Sequence, residues 1–134
     1  MAEPGLKEAK TRVVVLADDL IWADRLLRLL SEAGAQPARA KTGQELDREL
    51  ASADAAVIDL TARNYDPIAA IERSTMQGRR VLAVGQHDDH LLRKRALAAG
   101  AERVFAYRKL HEDGVRVLRE WITLMGGRSK TTRD

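Results

Sequence analysis

Five short runs of apolar residues recur along this chain, and they constrain its fold more than any other feature. The runs cover residues 12–17, 36–41, 54–59, 80–85 and 103–107, and most are rich in valine, leucine or alanine. Between and after them, apolar residues recur at helical spacing over 20–33, 43–51, 67–76, 90–99 and 112–125. Short strands that alternate with helices indicate a parallel sheet with helices on both faces.

The order of the strands follows from general rules of connection. Right-handed crossovers leave few topologies for five such units, and the common small solution has strand order 2-1-3-4-5. We therefore predict a flavodoxin-like α/β fold with a five-stranded parallel sheet. The run at 36–41 contains Pro37, which cannot donate to a sheet ladder, so it is expected at an edge.

Length and composition predict one domain in a reducing compartment. The 134 residues fit a single domain, which we place at 12–126 between a flexible segment, 1–11, and a polar tail, 127–134. There is no cysteine, the apolar runs are too short to span a bilayer, and the first eleven residues lack a signal core. We expect a stand-alone cytoplasmic protein that makes no membrane contact.

Charge is distributed unevenly between the two halves. Residues 1–66 hold 9 Lys/Arg and 12 Asp/Glu, whereas residues 67–134 hold 14 and 8. A basic half can bind nucleic acid or an acidic protein, although a solvated arginine-rich surface explains the same composition. Aromatic residues make up only 4% of the chain, which disfavours base stacking, so nucleic acid is not the expected partner.

Three acids follow two strands that the topology makes neighbours. Asp18 and Asp19 follow the first strand, and Asp59 ends the third. The carboxyl ends of adjacent parallel strands meet at one edge, where such sheets bind ligands. Clustered carboxylates suit Mg²⁺, and a carboxylate beside Mg²⁺ can accept a phosphoryl group. Alternatively, these acids only cap helices or end a strand.

The order of these motifs resembles the receiver domains of two-component response regulators. The segments that carry the resemblance are 13–19, 55–60, 81–84 and 98–104, within a match over about 12–125. The resemblance implies that Asp59 is the phosphoacceptor and that Asp18 and Asp19 bind Mg²⁺. It also implies a kinase or output protein as partner, and a homodimer through the fourth helix, fifth strand and fifth helix.

The chain departs from that family where the switch chemistry lies. Receivers carry Thr or Ser after the fourth strand, and here that position is Gly85. The lysine that ends the fifth strand is replaced by Tyr107, and Lys109 could substitute if it extends from a strand on the same face. His87, which follows the fourth strand, faces either the acidic pocket or solvent.

These observations predict a signalling module and not an enzyme. No phosphate loop and no serine-nucleophile motif is present. The first hypothesis is an atypical receiver that acts through protein contacts, with Asp59 as the candidate phosphorylation site. The alternatives are a phosphorylation-independent scaffold of the same fold, and a module that binds a small ligand or nucleic acid.

Overall fold

The computed structural model describes residues 10–131, with side chains described as far as residue 124. It contains one parallel sheet of five strands in the order β2-β1-β3-β4-β5, which confirms the predicted topology. The strands are β1 (Arg12–Leu16), β2 (Gln36–Ala40), β3 (Ala55–Asp59), β4 (Arg80–Gly85) and β5 (Arg103–Ala106). The helices are α1 (Leu20–Glu32), α2 (Gly43–Leu50), α3 (Pro67–Met76), α4 (His90–Ala99) and α5 (Tyr107–Thr131).

Side-chain caps explain where four of the helices begin. The side chains of Asp19, Thr42, Asp66 and Asp89 each accept a hydrogen bond from a backbone amide in the first turn of α1, α2, α3 and α4. Such caps satisfy amides that have no partner within the helix. Pro67 occupies the first turn of α3, where its missing amide hydrogen costs nothing.

The sheet is buried on both faces. Helices α1 and α5 cover one face through side chains such as Leu26, Leu30 and Leu118. Helices α2, α3 and α4 cover the other face, with Leu46 and Ile71 among the buried side chains. Strands β1, β3 and β4 are interior and apolar on both sides, as parallel strands between two helical layers must be. Trp121 of α5 is 3% exposed and lies in the core.

The junction between β5 and α5 differs from the prediction. Tyr107 was expected to end the strand, but it is the first residue of α5, five residues before the predicted start. The backbone leaves helical geometry at Asp113 (φ −148°, ψ 30°), which divides the early turn from the rest of the helix. The physical reason is packing: Leu110 is 1% exposed, and a helical turn buries it against the core.

Residues 127–131, which were predicted as part of a tail, continue α5. Residues 1–9 and 132–134 lie outside the described part of the chain, so most of the predicted N-terminal segment and the last tail residues do as well. Over residues 10–131, no helix is both long enough and apolar enough to cross a membrane.

Candidate functional site at the ends of β1 and β3

Strand register brings the predicted acids to one edge of the sheet. Leu16 pairs with Ile58, so the residues that follow β1 lie beside the end of β3. Asp59, the last residue of β3, is completely buried. Asp18 is half-buried, whereas Asp19 is exposed. Three acids that share an edge therefore have three different environments.

One carboxylate oxygen of Asp59 is saturated with donors. Its Oδ1 accepts hydrogen bonds from the backbone amide of Thr61 at 3.0 Å and from the Thr61 hydroxyl at 2.8 Å. The Tyr107 hydroxyl also donates to Oδ1 in a short hydrogen bond. The other oxygen, Oδ2, is buried and accepts no hydrogen bond from residues 10–131.

The two hydroxyls and the carboxylate oxygen form a compact triangle. The Thr61 Oγ1 lies 2.6 Å from the Tyr107 hydroxyl oxygen, in addition to both contacts with Asp59. Each hydroxyl supplies one proton, so two protons serve three close oxygen pairs. Burial, followed by the hydrogen bond to Asp59, raises the pKa of Tyr107 far above its ordinary value. Tyr107 therefore stays protonated and acts as a donor.

Asp18 and Asp19 are engaged in backbone contacts. The Asp18 Oδ2 accepts from the amides of Arg63 at 2.8 Å and Asn64 at 2.9 Å, which anchors the loop after β3. The Asp19 Oδ1 accepts from the Trp22 amide at 3.0 Å and caps α1. Asp19 therefore caps a helix, as the alternative prediction for these acids stated.

The carboxylates do not form a cation site in this arrangement. Over residues 10–131, no three His, Asp or Glu side chains are placed so that they could hold a metal ion together. Each acid instead uses one carboxylate oxygen to accept hydrogen bonds. Asp59 accepts them from two hydroxyls, Asp18 from loop amides and Asp19 from a helix amide. A magnesium ion would have to draw these separately held carboxylates together, so the residues as arranged do not fit it.

Of the switch positions that the resemblance implies, Tyr107 reaches Asp59, whereas Gly85 and Lys109 do not. A Cβ atom on Gly85 would lie 3.3 Å from Leu60 Cδ1, so an apolar side chain fills the space beside this glycine. The Lys109 Nζ lies 3.8 Å from Asp113 Oδ2. The idea that Lys109 extends along a strand beside Tyr107 is wrong, because both residues lie in the first turn of α5. His87 is exposed and makes no hydrogen bond to Asp59.

Sequence reasoning missed two residues of this cluster. Thr61 closes a turn on the Asp59 side chain, a pattern that Asp followed two residues later by a polar residue could have suggested. The hydroxyl of Tyr65 lies 2.9 Å from the Leu16 carbonyl oxygen and 2.6 Å from the Asp59 carbonyl oxygen. Nothing in the local sequence predicts that contact, because it spans the two strand ends. Burial is the main cause of the raised pKa of Tyr65.

An aromatic pair covers the cluster on the α1 side. Trp22, whose position the sequence left open, stacks on Tyr107 with ring centroids 4.1 Å apart. The Arg25 guanidinium lies 5.1 Å from the Trp22 ring centroid, and its Nη1 is 3.3 Å from His111 Nδ1. These contacts fix the Tyr107 ring from the side opposite its hydroxyl bond, so the cluster is held at both ends.

Comparison with solved structures assigns the fold. The signal receiver domain of an HD domain-containing protein from Pseudomonas fluorescens Pf-5 superimposes with a TM-score of 0.79 at 16% identity, over 92% of this chain and 94% of that one. A response-regulator receiver domain protein from Methanospirillum hungatei JF-1 gives 0.75 at 16%, over 89% and 98%. The chain therefore has the response-regulator receiver fold.

A third structure shows the chemistry that this fold can support elsewhere. A response regulator from Burkholderia pseudomallei, solved with a phosphorylated aspartic acid, a calcium ion and citrate, gives a TM-score of 0.64 at 19% identity. The match covers 72% of this chain and 59% of that one. Neither a protein-family model nor a curated protein sequence matches this chain.

Proposed function

We propose that this chain is a receiver-like signalling module that acts through protein contacts and does not need phosphorylation of Asp59. The observation that carries the proposal is the set of three donors on Asp59 Oδ1, two of them hydroxyls from Thr61 and Tyr107. A carboxylate that is buried and bonded in this way serves as an acceptor within the fold. Access of a phosphodonor would require its surroundings to open.

The remaining switch positions support the same proposal. A phosphoryl group brings negative charge, and the fold offers no cation to balance it where the family places one: Lys109 faces Asp113 instead. Gly85 has no hydroxyl to move toward a phosphoryl oxygen, and Leu60 packs beside it. Phosphorylation would thus lack both partners that couple it to a change of shape.

We place the partner surface on α4, β5 and α5. This part of the chain carries exposed cations on α4 and on both sides of β5, at Arg93, Lys94, Arg95, Arg103 and Arg108. A second copy would bring the same basic patch against itself, because a two-fold interface is self-complementary in position. Like charges oppose that arrangement, so an acidic partner protein fits better than the homodimer.

The test compares the wild type with Asp59→Asn under phosphorylating conditions. Each protein is incubated with MgCl₂ and acetyl phosphate and examined by intact mass and by amide NMR, with an ordinary receiver domain as positive control. We expect no added phosphoryl group in the wild type and the same spectrum for the two incubations. A phosphoryl group present in the wild type and absent from Asp59→Asn would overturn the proposal.

The second candidate is a phosphorylated form of the same module. It is favoured by Asp59 Oδ2, which is buried and has no donor over residues 10–131. This oxygen would attack the phosphorus of the donor while the bond to the donor's leaving group breaks, leaving an aspartyl phosphate. Mg²⁺ held by Asp18 and Asp19 would support the step by balancing the negative charge. The same mass measurement decides between the candidates.

A further inference from the structure

The Tyr107 hydroxyl holds the carboxylate of Asp59, which a cation shared with Asp18 and Asp19 would have to recruit. It donates to Oδ1 and contacts the Thr61 hydroxyl, so both hydroxyl groups meet at one carboxylate oxygen. A protonated phenol presents its hydrogen, which is the positive end of the O–H dipole, to that oxygen. A cation at the same place would have to displace the proton donor and face its repulsion.

The surroundings of Tyr107 make that displacement unfavourable. The ring is stacked on Trp22, and the Arg25 guanidinium lies above Trp22. Rotation of the phenol away from Asp59 would break the stack as well as the hydrogen bond. Arg25 also adds positive charge on the side from which the ring is held.

The acids beside Asp59 are less firmly committed. The bonds from Asp18 to Arg63 and Asn64 run to backbone amides of an exposed loop, where water can replace a lost acceptor. Asp19 is exposed and contributes one cap bond. The buried Asp59 also keeps one oxygen without a donor, over residues 10–131. The bond from Tyr107 to Asp59 is part-buried, whereas the bonds of Asp18 and Asp19 are exposed.

We infer that Tyr107 is the residue that excludes a divalent cation from the carboxylates of Asp59, Asp18 and Asp19. This inference rests on the proposed function and names the side chain responsible for it. Its consequence is specific: Tyr107→Phe keeps the ring and its stack but removes the hydroxyl. The substitution should create a cation site in a chain that has the acids but does not use them together.

Tyr65 supplies a matched control. It is also a half-buried tyrosine whose hydroxyl contacts Asp59, but it reaches the backbone carbonyl and not the carboxylate. Tyr65→Phe therefore removes a hydroxyl of the same kind from the same neighbourhood without freeing Oδ1. A general loosening of the strand ends would affect both variants, whereas the inference requires an effect of Tyr107→Phe alone.

The experiment titrates MgCl₂ into four proteins and follows the amide resonances of Thr61, Arg63 and Asn64, with line broadening by Mn²⁺ as a second readout. The proteins are the wild type, Tyr107→Phe, Tyr65→Phe and the double variant Tyr107→Phe with Asp59→Asn. We expect Tyr107→Phe to bind at least about tenfold more tightly than the wild type, the factor that one ordinary hydrogen bond represents. Tyr65→Phe should match the wild type, and the double variant should lose the gain.

Two results would overturn the inference. One is an equal Mg²⁺ response in Tyr107→Phe and the wild type, and the other is an equal gain in both phenylalanine variants. Should Tyr107→Phe not fold, Tyr107→Leu, which also lacks the hydroxyl, is titrated in its place, and an Mg²⁺ response equal to that of the wild type would overturn the inference. Failure of the proposed function is separate, because it is recorded as a phosphoryl group on the wild type by mass.

Discussion

The end of β3 carries the acid that the resemblance to receivers implies, whereas the ends of β4 and β5 lack the hydroxyl and the lysine that it implies. At β3 the acid remains: Asp59 is fully buried and bonded to Thr61 and Tyr107. At β4 and β5 the polar partners are gone, since Gly85 packs beside Leu60 and Lys109 faces Asp113. A buried carboxylate at this position can therefore serve the fold as a hydrogen-bond acceptor without the other two groups.

Tyr107 links the two regions. It lies at the position where receivers carry lysine, directly after β5, and it donates to the acid at the end of β3. A lysine would bring a positive charge that can follow a phosphoryl group. A neutral phenol brings a single proton with a fixed direction, so it ties the strand ends together without providing a charge that responds to modification.

Removal of the Asp59 carboxylate should have the largest effect on stability. Asp59→Ala leaves the Tyr107 hydroxyl and the Thr61 amide without their acceptor, so we expect the free energy of unfolding to fall by about 3 kcal/mol. Urea denaturation measures the change. Asp19→Ala, which removes an exposed helix cap, serves as the matched carboxylate control and should cost about 1 kcal/mol. A stability that rises in Asp59→Ala would mean that burial of the charge outweighs its hydrogen bonds.

Alkaline pH should have an intermediate effect on stability, and it tests the contribution of the Tyr107 hydroxyl. Because the pKa of Tyr107 is raised in the folded state, its contribution to stability is complete below the ordinary tyrosine value of about 10 and is lost as pH rises toward the folded value. Tyr107→Phe should cost about 1–2 kcal/mol at neutral pH and should weaken the alkaline loss of stability.

Tyr65 sharpens that measurement, because burial raises its pKa as well. Urea midpoints below and above about pH 10 are compared in Tyr107→Phe, Tyr65→Phe and the double variant. We expect the double variant to show the weakest dependence on alkaline pH. An unchanged pH dependence in all three would contradict the assignment of both phenols as buried donors.

Loss of Lys109, in the first turn of α5, should have the smallest effect on stability. The Lys109 ammonium pairs with a partly exposed carboxylate at 3.8 Å, and the two side chains are 43% and 36% exposed. Lys109→Ala should therefore change the free energy of unfolding by no more than about 0.5 kcal/mol. It should also leave the amide shifts around Asp59 as they are. Shifts at Thr61 or Asn64 would show that Lys109 acts on the acid after all.

Local patterns were sufficient for most of the fold. The predicted ranges 67–76 and 90–99 agree with α3 and α4, where Asp66 caps the start of α3 and Gly100 ends α4 through their own backbone neighbours. The β5–α5 junction was predicted less well. A strand and a helical turn were both compatible with residues 107–111, and the burial of Leu110 favours the helix.

The candidate site was likewise predicted only in part from the sequence. The sequence placed Asp18, Asp19 and Asp59 at one edge of the sheet, which the strand register confirms. It did not show that Tyr107 would donate to Asp59, because the two residues are 48 positions apart. The separation of Tyr65 from Leu16 is 49 positions, and that contact was equally hidden.

The alternation of strands and helices, the starts of α1 to α4 and the set of acids at the strand ends could be read from the sequence, since all of these depend on periodicity and near neighbours. The groups that the acids touch depend on tertiary packing. Hydrogen bonds form between groups a few ångströms apart, whatever their separation along the chain, so the packing of α5 against α1 and the sheet determined that Asp59 meets a phenol instead of an ammonium group.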